Sequence, residues 1–151
     1  DFSEAHHQDM DWTLKVCGEL CRNLVNRIYS EDNFRYSQSV RDAIRYIHDN
    51  YNRDISLNEV ARYIYRSPEY LSRLFKSETG EKFSSYLMSY RLNKARDMLI
   101  NTDMKIYEIA YAVGYTTPSY FSKMYRDFMG VGPEVTRSQR NTRSMEGHMS
   151  K

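Results

Sequence analysis

Twice along this chain of 151 residues the same pattern of apolar and small residues recurs, and such a repeat limits the possible folds more than any other feature. The downstream copy is the clearer one: Ile106 to Arg126 reads IYEIAYAVGYTTPSYFSKMYR. Ile106, Ile109, Ala110 and Val113 return at steps of three and four, which puts them on one face of a helix. Gly114 tolerates a positive φ and suits a tight turn. Thr116 or Thr117 can cap a second helix, with Pro118 in its first turn. On that helix Phe121, Met124, Tyr125 and Phe128 are expected to face inward, leaving Pro118, Ser119, Ser122 and Lys123 outward.

Leu57, Val60, Ala61 and Ile64 match Ile106, Ile109, Ala110 and Val113 at an offset of 49. Beyond the turn the offset is 50: Pro68, Tyr70, Leu71, Ser72, Arg73, Leu74, Phe75, Lys76 and Gly80 match Pro118, Tyr120, Phe121, Ser122, Lys123, Met124, Tyr125, Arg126 and Gly130. The one-residue change falls in the turn, where an insertion disturbs least. A short helix, a turn and a second helix with small polar and basic residues outward is the helix-turn-helix pattern, whose second helix can enter a DNA major groove. Leu71, Leu74, Phe75, Phe121, Met124 and Tyr125 are read as core.

The connecting segments fit the same plan. Val40, Ile44, Ile47 and Tyr51, with Ala43 beside them, give an inward stripe on a helix from about Ser39 to Tyr51. His48 on that helix reads as a surface or partly packed side chain. Ser56 with Glu59 three residues later makes a capping box opening the upstream copy. Between the copies, Ser84 or Ser85 is expected to cap a long helix to about Asn101, with Leu87, Met88, Leu92, Ala95, Met98 and Leu99 buried. Seventeen residues would make a rod of about 25 Å. Such a rod can hold two reading helices apart, and successive major-groove faces recur at about 34 Å.

The expected fold class is therefore all-α, with two helix-turn-helix subdomains joined by a central connecting helix and preceded by an N-terminal linker helix. The domain limits follow from composition: 1–36 as a linker from an upstream domain, 37–137 as the tandem unit, and 138–151 as a polar, disordered tail. In the leader, Met10, Leu14, Cys17, Cys21, Leu24 and Ile28 alternate by four and three, a short coiled-coil spacing. That helix either supports a homodimer or transmits a signal, or it packs on its own domain or on the upstream one.

Charge and composition restrict function further. The chain is 40% apolar and 28% charged, which is globular. Residues 1–36 hold 4 basic and 7 acidic side chains, and residues 37–137 hold 15 and 12. A mildly basic body is compatible with DNA, with clustering mattering more than the total. Cys17 and Cys21, four apart on a helix, place their Cβ atoms about 5 to 6 Å apart, too far for an easy disulfide. Free thiols are expected, and a metal site with His6 and His7 lacks a zinc spacing. No cofactor is expected. The sequence has no nucleophile elbow, phosphate-binding glycine loop or paired carboxylates, so it does not read as an enzyme. It opens at Asp1, without a signal-peptide pattern or an apolar run of membrane-spanning length, and so reads as a fragment of a cytoplasmic protein with no membrane partner.

The run from Ile55 to Arg137, with SPEYLSRLFKSETG, YRLNKARDML and IYEIAYAVGYTTPSYFSKMYRDFMGVGP, resembles the C-terminal DNA-binding domain of the AraC/XylS family of bacterial transcription regulators. The resemblance implies sequence-specific binding of a double-stranded DNA operator, with recognition helices in neighbouring major grooves. It places Pro68, Glu69, Ser72 and Arg73, and Pro118, Ser119, Ser122 and Lys123, where family members face bases or the adjoining backbone. Arg73 can bridge O6 and N7 of a guanine, or serve a phosphate or ion pair. Glu69 can accept from cytosine N4 if its charge is balanced. Lys76, Tyr70, Tyr120 and Arg126 are candidate phosphate contacts, the tyrosines alternatively packing. Arg91 matches a family arginine of the connecting helix and reads as a structural ion-pair residue. Phe83 stands where the family often has proline, and Thr136 where a tyrosine usually precedes the arginine. If the regulator is an activator, RNA polymerase is a further partner. The alternative is a helical protein-interaction module that keeps the fold without specific DNA binding.

Overall fold

A computed structural model describes residues 35–146, which form seven helices and no strand. In chain order they are α1 (Gln38–Asn50), α2 (Leu57–Tyr63), α3 (Pro68–Thr79), α4 (Phe83–Asn101), α5 (Ile106–Ala112), α6 (Pro118–Met129) and α7 (Pro133–Glu146). No helix among the described residues is long and apolar enough to cross a membrane. The expected leader helix with Cys17 and Cys21, and His6 and His7 ahead of it, lie outside the described residues, as do residues 147–151.

Two cores form, one per copy. Val40, Ala43 and Ile47 of α1 close with Val60, Ala61, Leu71, Phe75, Phe83 and Leu87 around the first. Leu92, Ala95 and Leu99 close with Ile109, Ala110, Val113, Tyr115, Phe121 and Tyr125 around the second. The connecting helix α4 therefore serves both, and its sequence shows how. At 100° per residue, Phe83 and Leu87 lie about 130° round the axis from Leu92, Ala95 and Leu99, so each half buries a different side. Its 19 residues span about 28 Å.

Several local expectations need correction. α4 starts at Phe83 behind Lys82, not behind Ser84 or Ser85. Phe83 is buried and meets Phe75 edge-on at 6.0 Å, which draws the first residue of the helix into the core. The capping box at α2 is half made: the Ser56 hydroxyl accepts from the Glu59 amide at 3.2 Å, while the Glu59 carboxylate turns to Tyr46 and Arg53, both at 2.6 Å. Thr117 takes the N-cap position of α6 without a side-chain hydrogen bond. Phe128 is 42% exposed; the inward line of α6 runs Phe121, Tyr125 and Met129, four apart, and Phe128 falls beside it. Finally, the polar segment from Ser138, expected as a disordered tail, is helical as far as Glu146 as part of α7. Arg140 holds it down by donating to the Thr102 carbonyl at 2.7 Å and the Asp103 carboxylate at 2.9 Å, tertiary partners that helical periodicity cannot reveal.

Candidate nucleic-acid interface

The second helix of each copy is built to one specification. α3 and α6 are each 12 residues long, start with proline and end at a left-handed glycine, Gly80 (φ 84°) and Gly130 (φ 78°). Proline at the first position sacrifices no helical hydrogen bond, and glycine alone adopts the terminal conformation without a Cβ penalty. In α3 the Ser67 hydroxyl also accepts from the Tyr70 amide at 3.2 Å. Leu71 and Phe75 are buried in one copy, Phe121 and Tyr125 in the other. Burial at matching positions leaves matching positions outward.

Those outward positions are the ones singled out by sequence. Glu69, Tyr70, Ser72, Arg73 and Lys76 are exposed along α3, with Pro68 half-buried. Along α6, Ser119, Tyr120, Lys123 and Arg126 are exposed, while Pro118 and Ser122 are half-buried. Pro118, Ser119 and Ser122 line a shallow recess with Lys105, Ile106, Tyr107 and Arg137, so the serine edge of α6 is more enclosed than that of α3. Tyr120 leans the other way, into a cleft between the two copies shared with Ser56, Ser84, Met88, Arg91 and Tyr115. Tyr70 keeps its ring 5.8 Å from the Arg66 guanidinium.

Electrostatics separate the outward cations from the structural ones. Among the described residues the side chains of Arg73, Lys76, Lys123 and Arg126 enter no ion pair or hydrogen bond. By contrast, Arg53 is tied to Glu59 and to the Tyr46 hydroxyl at 2.6 Å each. Hydrogen bonds from Tyr46 and Arg53 hold the Glu59 carboxyl below its ordinary pKa. A cation already matched to a carboxylate has little to offer a phosphate, whereas an unmatched one can release counterions on binding. His48 stacks on Tyr90 at 4.2 Å and shares a 3.1 Å hydrogen bond with Tyr86, as a partly packed residue does.

Arg91 has a structural place but not through an ion pair. Its Nε donates to the Tyr51 carbonyl and its Nη2 to the Arg53 carbonyl, both at 2.7 Å. Burial draws its pKa below the ordinary value, opposed by nearby Tyr115 and Asp54. Sequence reasoning missed this arrangement, because the acceptors are backbone atoms some 40 positions away. It also missed Tyr65, a non-glycine residue at φ 56° that is 92% exposed in the first turn. The repeat held a clue, since Tyr65 aligns with Gly114. Of the two departures from the family pattern, Thr136 is buried and accepts from the Tyr125 hydroxyl at 3.1 Å. Among the described residues no group of histidine, cysteine and carboxylate side chains could hold a metal.

Comparison with known proteins points to the same fold. The helix-turn-helix domain family matches residues 60–139. The regulatory protein PocR of Salmonella typhimurium is 35% identical over 145 residues, covering 87% of this chain and 48% of PocR. The chain spans half or less of the length of such curated relatives. The C-terminal domain of AraT, a response regulator from Geobacillus stearothermophilus, superposes with a TM-score of 0.68 at 41% identity, covering 70% of this chain and 88% of that one. A transcriptional regulator from Chromobacterium violaceum, described as containing an AraC-type DNA-binding domain, gives 0.65 at 32% identity, covering 68% and 91%.

Proposed function

The chain belongs to the AraC/XylS-type helix-turn-helix transcription regulators, and from that membership we propose that it reads two DNA subsites with α3 and α6 in adjacent major grooves. It is a DNA-binding regulator domain of bacterial type, not an enzyme. The observation that carries the proposal is the pair of equal helices whose outward cationic side chains have no ion-pair or hydrogen-bond partner among the described residues. In this reading Arg73 is the chief base reader of the first subsite, with Pro68, Glu69 and Ser72 around it. Pro118, Ser119, Ser122 and Lys123 face the second subsite. Tyr70, Lys76, Tyr120 and Arg126 hold phosphates and set the register without reading sequence. RNA polymerase is a partner of the whole regulator if it activates transcription, and any homodimer would form through Met10 to Ile28.

The test is a selection of bound duplexes from random sequence, followed by two substitutions. Arg73→Ala should relax preference at one subsite by about 1 to 3 kcal/mol, as expected for loss of a bidentate guanine contact. Lys76→Ala should weaken every duplex alike and lower the salt dependence by about one counterion. Indistinguishable sequence profiles for the two variants would refute the assignment of roles. Salt-independent binding with no preferred duplex would instead favour a protein-interaction module.

A further inference from the structure

The two copies have separate cores strung on one helix, and an axial connection by itself leaves each core able to rock about its own end of α4. An off-axis tie removes that freedom. Such a tie exists midway along α4. The Arg91 guanidinium donates to the Tyr51 and Arg53 carbonyls of the α1–α2 loop, in the first copy. The same guanidinium lies 5.8 Å from the ring of Tyr115, in the turn of the second copy. Tyr51 packs against both cores. Beside it Gly114 brings the turn so close that a Cβ there would lie 2.8 Å from the Tyr51 carbonyl oxygen and 3.0 Å from Arg91 Nη2.

The residue type suits the task. A planar guanidinium offers donors in a fixed fork and a flat face for an aromatic ring, so two acceptors and one ring together define its orientation. Lysine, with a point charge on a flexible stem, can satisfy one carbonyl without fixing a plane. The acceptors are main-chain oxygens two residues apart, so they move with the backbone of the first copy and not with a side-chain rotamer.

We propose that Arg91 is the positioning residue that sets the separation and angle of α3 and α6, by clamping the Gly114–Tyr115 turn of the second copy to the Tyr51–Arg53 loop of the first. It touches no DNA. It acts by holding the second reading helix at the register the first has chosen, which raises the effective concentration of one helix at its subsite once the other is bound. This role rests on the reading of α3 and α6 as a paired DNA reader, although the clamp itself can be tested without DNA.

Two measurements separate the clamp from the DNA reading. Spin labels at Ser77→Cys and Asp127→Cys, equivalent exposed positions on α3 and α6, in the full chain with Cys17→Ser and Cys21→Ser, report the distance between the reading helices in free protein by pulsed electron resonance. The parent should give one narrow distribution, Arg91→Ala a distribution at least about twice as broad, and Arg91→Lys an intermediate one, as expected if one of two anchoring bonds survives. Affinities are then measured for the wild-type and Arg91→Ala chains on the selected duplex, on the same duplex with one base pair inserted between subsites, and on a duplex keeping one subsite. Arg91→Ala should lose about tenfold on the selected duplex, tolerate the insertion better than wild type, and match wild type within about twofold on the single subsite. An unchanged distance distribution, or an equal loss on all three duplexes, overturns the clamp. If Arg91→Ala fails to fold, Arg91→Lys decides, since an unbroadened distribution there refutes the two-bond account. A wild-type chain that binds one and two subsites equally well would refute the paired-reader reading and leave the distance measurement to judge the clamp.

Discussion

Gly114→Ala tests how closely the two copies approach, and its size can be worked from the geometry. Gly114 sits at φ 90°, and a left-handed backbone costs an L-residue about 1 to 2 kcal/mol. The new methyl group would lie 2.8 Å from the Tyr51 carbonyl oxygen and 3.0 Å from Arg91 Nη2. The first of these is main chain and cannot swing away, so an overpacking penalty of roughly 1 to 3 kcal/mol is added. The expected loss is about 2 to 5 kcal/mol. Gly80→Ala and Gly130→Ala are internal controls, with φ of 84° and 78° and no atom within 4 Å of a built Cβ. They should lose only the backbone part, about 1 to 2 kcal/mol. Urea unfolding followed by circular dichroism resolves the difference, since the extra ~1 to 3 kcal/mol at a slope of roughly 1.5 kcal/mol per molar moves the midpoint by about 0.7 to 2 M. If Gly114→Ala fell no further than the two controls, the close approach of turn and loop would be wrong.

Tyr65→Gly should do the opposite of Gly114→Ala: relieving the left-handed tyrosine at φ 56° ought to stabilise the domain by about 1 kcal/mol and raise the melting temperature by about 4 °C, and a lower melting temperature would contradict it. Thr136→Val strands the Tyr125 hydroxyl, which donates to Thr136 at 3.1 Å in a buried site, so it should lose about 1 to 3 kcal/mol, against about 1 kcal/mol for Tyr125→Phe; equal losses in chemical denaturation would speak against burial of that pair. Glu59 has a folded pKa below its unfolded value, so its stabilising contribution is complete above an unfolded pKa of about 4.3 and disappears as pH falls through the folded pKa. Glu59→Gln should therefore flatten the acid side of a stability-against-pH profile, and a profile parallel to wild type would exclude the Tyr46–Arg53–Glu59 cluster as a source of acid sensitivity.

Much of the fold was legible because helical periodicity is local. Val40 to Ile47, Val60 and Ala61, and Phe121 to Tyr125 declared their buried faces within a few residues, and the repeat assigned the same faces twice. The outward residues of α3 and α6 followed by subtraction. What stayed hidden depends on partners distant in sequence. Phe83 begins α4 because Phe75 receives it, Arg140 extends α7 because the Thr102 carbonyl is within reach, and Glu59 abandons the capping box for Arg53 and Tyr46. Each reverses a local preference through a tertiary contact, where a single-sequence reading is weakest.

The turn, where the copies part, explains why they are not interchangeable. Both turns begin alike: the amides of Tyr65 and Arg66 donate to the carbonyls of Arg62 and Ala61, and those of Gly114 and Tyr115 donate to Tyr111 and Ala110. This is the helix-ending arrangement in which a left-handed residue is followed by one that commonly packs back on the helix. In the second copy it is fulfilled, with glycine in the left-handed place and Tyr115 buried against Phe121 and Arg91. In the first copy tyrosine takes the left-handed place and Arg66 stays exposed. The added residue then comes after Tyr115, before the α6 cap at Thr117, so it lengthens the path to the recognition helix without altering the turn that meets α4. Only the second turn faces the other copy across Arg91, and there the Cβ has been dispensed with and the ring turned inward. The asymmetry between two otherwise equal units thus has a mechanical origin: one of them must fit against its twin.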